Sequence, residues 1–163
     1  MWGYVPNQSL DLSAIDGIDK TDLKILKILQ ADGRIALSEI ARRLDCGNAT
    51  IHERTDKLEE AGFIREYHAD LDPEMLGVTV AAFVNVRTEA GQFSRVAERL
   101  TERLPIQEVH EVTGDADLLL KVRVRDTDAL TSLLSDIGEY DGVLETETNV
   151  ALGTAKEAHT LDL

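Results

Sequence analysis

Between Asp19 and Leu71 the apolar residues fall into three successive helical stripes separated by short turns, and this spacing leaves little freedom in how the stretch folds. "DKTDLKILKILQADG" opens on acidic residues, carries Leu23, Ile25, Leu26, Ile28 and Leu29, and stops at Gly33. Leu37, Ile40, Ala41 and Leu44 then sit at i, i+3, i+4 and i+7, one apolar face of a second helix. Asp45-Cys46-Gly47 forms a turn. A third helix is predicted from Asn48 to about Ala61, with Ile51, Thr55 and Leu58 facing inward and Gly62 as its stop. "FIREYHADL" alternates as a short wing strand, and "DPEMLG" makes a turn and hinge around Pro73. The pattern predicts a winged helix-turn-helix over residues 19–72 and a hinge over 73–77.

The second half has a different logic. "VTVAAFVNVRT" (78–88) predicts a strand, and Phe93, Val96, Ala97, Leu100 and Leu104 predict a helix ending at Pro105. "IQEVHEVT" and "DLLLKVRV" predict two strands around Gly114-Asp115-Ala116. Leu130, Leu133, Leu134 and Ile137 mark another helix, and "GVLETETNVAL" a last strand. The order βαββαβ over 78–163 is that of an α+β, ferredoxin-like domain, a four-stranded sheet with two helices on one face. Strand 78–88 places Ala81 and Phe83 opposite Val80, Ala82 and Val84, so both of its faces are apolar. That predicts a sheet covered by a second copy of the chain. Residues 1–18 show no sustained period and read as an N-terminal extension, docked by Trp2 or Tyr4.

Composition narrows the class. The 163 residues are 43% hydrophobic, enough for real cores, and no segment approaches the roughly 18–20 apolar residues that span a bilayer. With no secretory signal pattern, the expectation is a soluble cytoplasmic protein. The single cysteine, Cys46, excludes an intramolecular disulfide and suits the small apolar position of the turn. The net charge is −14 and evenly spread, with net −6 over residues 1–77 and −8 over 78–163. Lysine is scarce, 6 against 11 arginines. A uniformly acidic surface of this kind points to a halophilic archaeon, where abundant cations screen self-repulsion.

In order and spacing, "ADGR", "SEIARRL", "R…KLEEAGFI" and "LDPEMLG", followed by "VTGDADLLLKV" and "YDGVLETETNVAL", resemble the Lrp/AsnC family of feast/famine transcriptional regulators. The resemblance covers residue 19 to about 157. It implies a DNA-binding N-terminal domain, a ligand-sensing C-terminal domain, dimers formed through the sheet, and further assembly into octamers. The chain departs from the family at the start of its recognition helix, where Gly47 and Asn48 replace the usual serine and proline.

Within that helix, the outward positions are Ala49, Glu53, Asp56 and Glu60, with Thr50, His52 and Lys57 flanking them. Base reading is expected from Asn48, Thr50 and His52, because the N-terminal end enters the major groove first. Glu53 either accepts from a cytosine amino group or is solvated. Arg34, Arg42, Arg43, Arg54, Lys57 and Arg65 are candidates for phosphate contacts. Each is equally explicable as a surface cation paired with a carboxylate, such as Arg42 or Arg43 with Glu39, and Arg54 leans inward.

The resemblance makes Thr113, Gly114, Asp115, Ala116 and Asp117 the effector loop, binding a small, amino-acid-like molecule between dimers. Gly114 allows close approach, the loop amides suit an α-carboxylate, and Asp115 or Asp117 suits an α-ammonium. From the residues alone the loop is an ordinary hairpin turn. Glu139, Tyr140, Thr146 and Thr148 are weaker candidates for a neighbouring wall. His52, His68, His110 and His159 are scattered, and no metal-ligand spacing or phosphate loop appears, so no cofactor or catalytic residue is expected. Two other readings stay open: a ligand-sensing oligomer that has lost DNA binding, and a subunit resembling the sirohaem decarboxylases.

Overall fold

The computed structural model describes residues 17–158 and 160–163; Trp2, Tyr4 and His159 lie outside the described residues. The described residues form two compact units, one containing those from Gly17 to Asp70 together with those of 157–163, the other spanning Leu71–Lys156. The sequence pattern ends the sheet domain at residue 163, whereas Glu157–Leu163 group with the helical unit. There the Gln30 side chain holds the backbone of Leu161 at two points, donating to its carbonyl (2.6 Å) and accepting from its N–H (2.9 Å).

The helical unit comprises α1 (Lys20–Ala31), α2 (Leu37–Leu44) and α3 (Asn48–Glu60). Ile25, Leu29, Ile40, Ala41, Ile51 and Leu58 form its buried core, with Cys46 packed at the margin. Asp19 caps α1, accepting from the N–H groups of Thr21 and Asp22, while Asp22 accepts from the N–H of Asp19. Helix α2 ends at Asp45 in the left-handed conformation (φ 52°, ψ 46°), and the next amide, Cys46 N–H, donates back to the Ala41 carbonyl. After α3, the amides of Phe63 and Ile64 both donate to Leu58, and Gly62 takes φ +78°.

The predicted wing strand over 63–71 is not paired. Its backbone carries no strand hydrogen bonds, because among the described residues no second strand lies beside it. The segment is held by Tyr67, whose ring packs against Gly33 and whose hydroxyl donates to Glu59. Burial first, and Glu59 second, push the Tyr67 phenol up to about 12.

The other unit contains β1 (Val80–Thr88), α4 (Phe93–Thr101), β2 (Ile106–Glu111), β3 (Leu118–Val124), α5 (Thr127–Gly138) and β4 (Val143–Val150). The sheet is antiparallel throughout, in the order β2-β3-β1-β4. Ala82, Val84 and Val86 of β1 and Leu118, Leu120, Val122 and Val124 of β3 point to one face, where Val96 and Leu100 of α4 and Leu130, Leu133 and Ile137 of α5 cover them. The other face presents Ala81, Phe83, Leu119 and Lys121; Phe83 is 43% exposed. Leu104, expected on the stripe of α4, lies beyond its end and is 97% exposed. Pro105 disfavours helical backbone in the preceding residue, and a turn closed by Ile106 N–H to the Arg103 carbonyl replaces the last helical turn.

Left-handed backbone costs a residue with a Cβ roughly 1–2 kcal/mol, less for aspartate than for alanine. Thermal unfolding is expected to rank Asp45→Gly above the wild type and Asp45→Ala below it, the two variants separated by about 1 kcal/mol. Equal melting temperatures for the two would show that this turn carries no strain.

Candidate functional site

Helix α3 is oriented by one cation. Arg54 Nη1 donates to Asp19 Oδ2 and to Asp22 Oδ1, both at 2.7 Å. Each aspartate thus gives one oxygen to the cap of α1 and the other to Arg54. Asp22 is buried, with its side chain 8% exposed. Hydrogen bonds from the Asp22 backbone and then from Arg54 pull the Asp19 carboxyl down to about 2, while the Arg54 guanidinium is raised above its ordinary value by the two carboxylates. Of the predicted phosphate contacts, Arg54 is therefore committed inside the unit, joining the start of α1 to the middle of α3. An open cleft of about 520 Å³ beside it is lined by Asp19, Asp22, Thr50, Glu53, Arg54 and Lys57.

The other predicted DNA-facing residues lie on the surface. Asn48, Ala49, Thr50, His52, Glu53 and Lys57 are exposed along α3, and Arg34 and Arg65 are exposed outside it. Gly47 is the N-cap and Asn48 the first helical residue, and no side chain caps the helix. Its first amides are therefore left without a side-chain acceptor. Arg42 and Arg43 both bind Glu39, at 2.7 and 2.9 Å. The Arg42 hydrogen bond, followed by that of Arg43, holds the Glu39 carboxyl at about 2.

In the sheet unit, the loop between β2 and β3 is closed by Val112 N–H donating to the Asp117 carbonyl (3.0 Å). Residues 113–115 form an open bend, with Gly114 at φ +124°, a conformation suited to glycine. Thr113, Gly114 and Asp115 are exposed and Ala116 is half-buried. Asp117 is already engaged: its Oδ2 accepts from both the N–H (2.7 Å) and the hydroxyl (3.0 Å) of Thr88. Sequence reasoning missed Thr88, which carries no local signal of this role. Glu139 caps the end of α5, and Tyr140 packs against the core with the Arg99 guanidinium 4.0 Å above its ring. Thr146 and Thr148 pair with Val86 and Val84, half-buried on the helix-covered face of the sheet. The structure thus groups the 113–117 loop with the end of β1 and does not bring Thr146 or Thr148 to it.

Residues 18–65 match the model of a winged helix-turn-helix DNA-binding domain, and residues 81–161 match that of the Lrp/AsnC ligand binding domain. The HTH-type transcriptional regulator FL11 of Pyrococcus horikoshii is 42% identical over 146 residues, covering 90% of this chain and 97% of that protein. The chain belongs to the Lrp/AsnC family. The leucine-responsive regulatory protein of Escherichia coli K12 is 36% identical over 151 residues, covering 88% of this chain and 90% of that one. Among solved structures, Escherichia coli AsnC superposes with a TM-score of 0.82 at 29% identity, covering 90% of this chain and 99% of that one. A transcriptional regulator from Neisseria meningitidis, in complex with L-Met, matches with a TM-score of 0.81 at 28% identity, covering 88% and 96%.

This Lrp/AsnC protein is accordingly a DNA-binding transcriptional regulator, and the kinship is with regulators rather than enzymes, which removes the sirohaem decarboxylase reading. No helix among the described residues is long and apolar enough to cross a membrane.

The two classes of arginine should separate on mutation. Arg54→Ala leaves the buried Asp22 carboxylate without its cation and is expected to cost about 3 kcal/mol. Arg42→Ala, on an exposed pair, should cost less than about 1 kcal/mol. The lowered Asp19 carboxyl adds a sign in pH. Unfolded Asp19 binds its proton near pH 4 and folded Asp19 near 2, so its contribution is complete above pH 4 and is lost as pH falls toward 2. Denaturant midpoints measured from pH 5 to 2 should fall less steeply in Arg54→Ala than in the wild type. Parallel curves would mean that Arg54 is not the group stabilising the carboxylate.

Proposed function

We propose that this regulator acts as a homodimer, and as octamers built from dimers, that reads double-stranded DNA through the N-terminal half of α3 and changes its assembly or affinity with an amino-acid-like effector. The observation that carries the DNA reading is the exposed, uncapped start of α3 on a three-helix unit whose own arginine fixes it. Asn48, Thr50 and His52 are assigned to base edges, and Ala49 to a thymine methyl group. Arg34, Lys57 and Arg65 make the phosphate contacts, with Arg42 and Arg43 contributing after Glu39 has taken part of their charge. The outer sheet face, with Ala81, Phe83 and Leu119, is the dimer surface, and two copies place two α3 helices on successive major-groove faces.

The effector is assigned to the bend at 113–116. Asp115 is the residue for an α-ammonium, since the carboxylate of Asp117 is held by Thr88. That relatives include a protein named leucine-responsive and a protein with bound L-Met supports an amino acid as the ligand class. A ligand shifts the assembly equilibrium only through a difference in its affinity for the two states.

The acidic face of α3, with Glu53, Asp56 and Glu60, fits a cytoplasm rich in cations, as in a halophile. It also shapes the salt dependence. If all five surface cations of each protomer displaced counterions, a dimer would show a log–log slope of about −9. Because the single Glu39 carboxylate cancels one of the two charges of Arg42 and Arg43, the expected slope is about −7, measured by fluorescence anisotropy on a selected operator from 50 mM to molar potassium chloride. A slope near −9 contradicts this assignment, and absence of binding at every salt concentration favours a sensor that no longer reads DNA.

For the effector, calorimetric titration with each of the twenty amino acids should give heat with at least one of them, lost in Asp115→Asn. No heat from any amino acid removes the amino-acid assignment. Unaltered heat in the variant moves the ammonium site elsewhere.

A further inference from the structure

Thr88, the last residue of β1, is 8% exposed and stands where the ladder to β3 has ended and the ladder to β4, in which Thr88 pairs with Val143, shifts its register. On one edge, β3 begins at Leu118 opposite Val86, two residues short of Thr88. On the other, the register with β4 slips between Arg87 and Thr88. Asp117 replaces the missing ladder: its carboxylate accepts from the Thr88 amide and hydroxyl, and its own N–H donates to the Val86 carbonyl at 3.0 Å. One residue further, the Glu89 amide donates to the Gly142 carbonyl at 2.8 Å. Gly142, at φ +94°, is wedged in place, since a Cβ there would lie 3.0 Å from Gln92 Cβ. Two consecutive residues therefore hold the 113–117 loop on one side and the 139–142 segment on the other.

We infer that Thr88 is a positioning residue that couples these two segments, so that ordering one by a bound small molecule orders the other. Asp117 acts in this as a latch on β1 and not as a ligand-contacting group. The regulatory meaning rests on the reading of 113–117 as the effector loop; the coupling itself does not need the effector. Its physical basis is that a charge-assisted hydrogen bond is about twice as strong as a neutral one, and the Asp117 carboxylate receives two of them from Thr88.

Hydrogen exchange by mass spectrometry on the full chain without ligand tests this, using the wild type, Thr88→Val, Thr88→Ser and Asp117→Asn. Valine keeps the shape and removes the hydroxyl, and serine restores it. In Thr88→Val, exchange should rise roughly ten-fold in peptides covering both 112–117 and 139–143, while peptides from 20–60 keep their wild-type rates. Thr88→Ser should exchange like the wild type in both regions. A rise confined to 112–117, or serine behaving like valine, overturns the coupling. If Thr88→Val exchanges faster everywhere, Asp117→Asn decides: a joint rise in the two regions supports the coupling, and a rise in 112–117 alone overturns it. Failure of every amino acid to bind leaves this result readable, so the two ideas fail separately.

Discussion

Strand β1 is hydrogen-bonded along both edges, and the rest of the sheet unit is arranged around that fact. A central strand must place its side chains alternately on two faces, and only one of them can meet α4 and α5. Ala82, Val84 and Val86 take the covered face, so Ala81 and Phe83 are forced to the other. The uncovered face is then neither fully polar nor buried within a single chain. At its end, β1 outruns β3 and slips against β4, and the unpaired amide of Thr88 turns to a side chain from the neighbouring loop. The same constraint thus leaves an apolar face uncovered by the two helices and draws the 113–117 loop to the end of β1.

The helical unit depends on a different economy, in which two carboxylates do two tasks each. Asp19 and Asp22 close the start of α1 and at the same time hold Arg54 of α3. A buried charge is tolerated only with a partner and with its remaining oxygens satisfied. Asp22 meets both conditions, having one oxygen on the Asp19 amide and one on Arg54. The orientation of the reading helix therefore follows from the capping of a helix at the other end of the domain sequence.

Local periodicity was enough to place the helices, because a stripe and its stop signal lie within about a dozen residues of each other. The stripes of α2 and α3 and the βαββαβ order were legible for that reason. The wing strand was not, since "FIREYHADL" has strand alternation but strand pairing needs a partner that alternation does not specify. Leu104 fitted its stripe, yet the following proline decided the backbone. At the candidate sites, exposure of Asn48, Thr50 and His52 was legible from helical phase. The partner of Arg54 lies 32 and 35 residues away, and that of Asp117 lies 29 away; no local pattern announces either.

What the ion pairs leave over is the deciding quantity for DNA. The surface carries many carboxylates, and those beside arginines, Asp19, Asp22 and Glu39, reduce the positive charge that α1, α2 and α3 can offer to phosphates. A reading helix with Glu53, Asp56 and Glu60 on its outer side adds repulsion at long range. Long-range repulsion is screened within about 3 Å at molar salt, whereas a hydrogen bond made at contact distance to a base edge is screened far less. Salt therefore weakens what opposes binding here as well as what favours it. An arrangement with few free cations has little of the sequence-independent attraction that basic regulators draw from phosphate neutralisation, and leaves specificity to contacts made at short range.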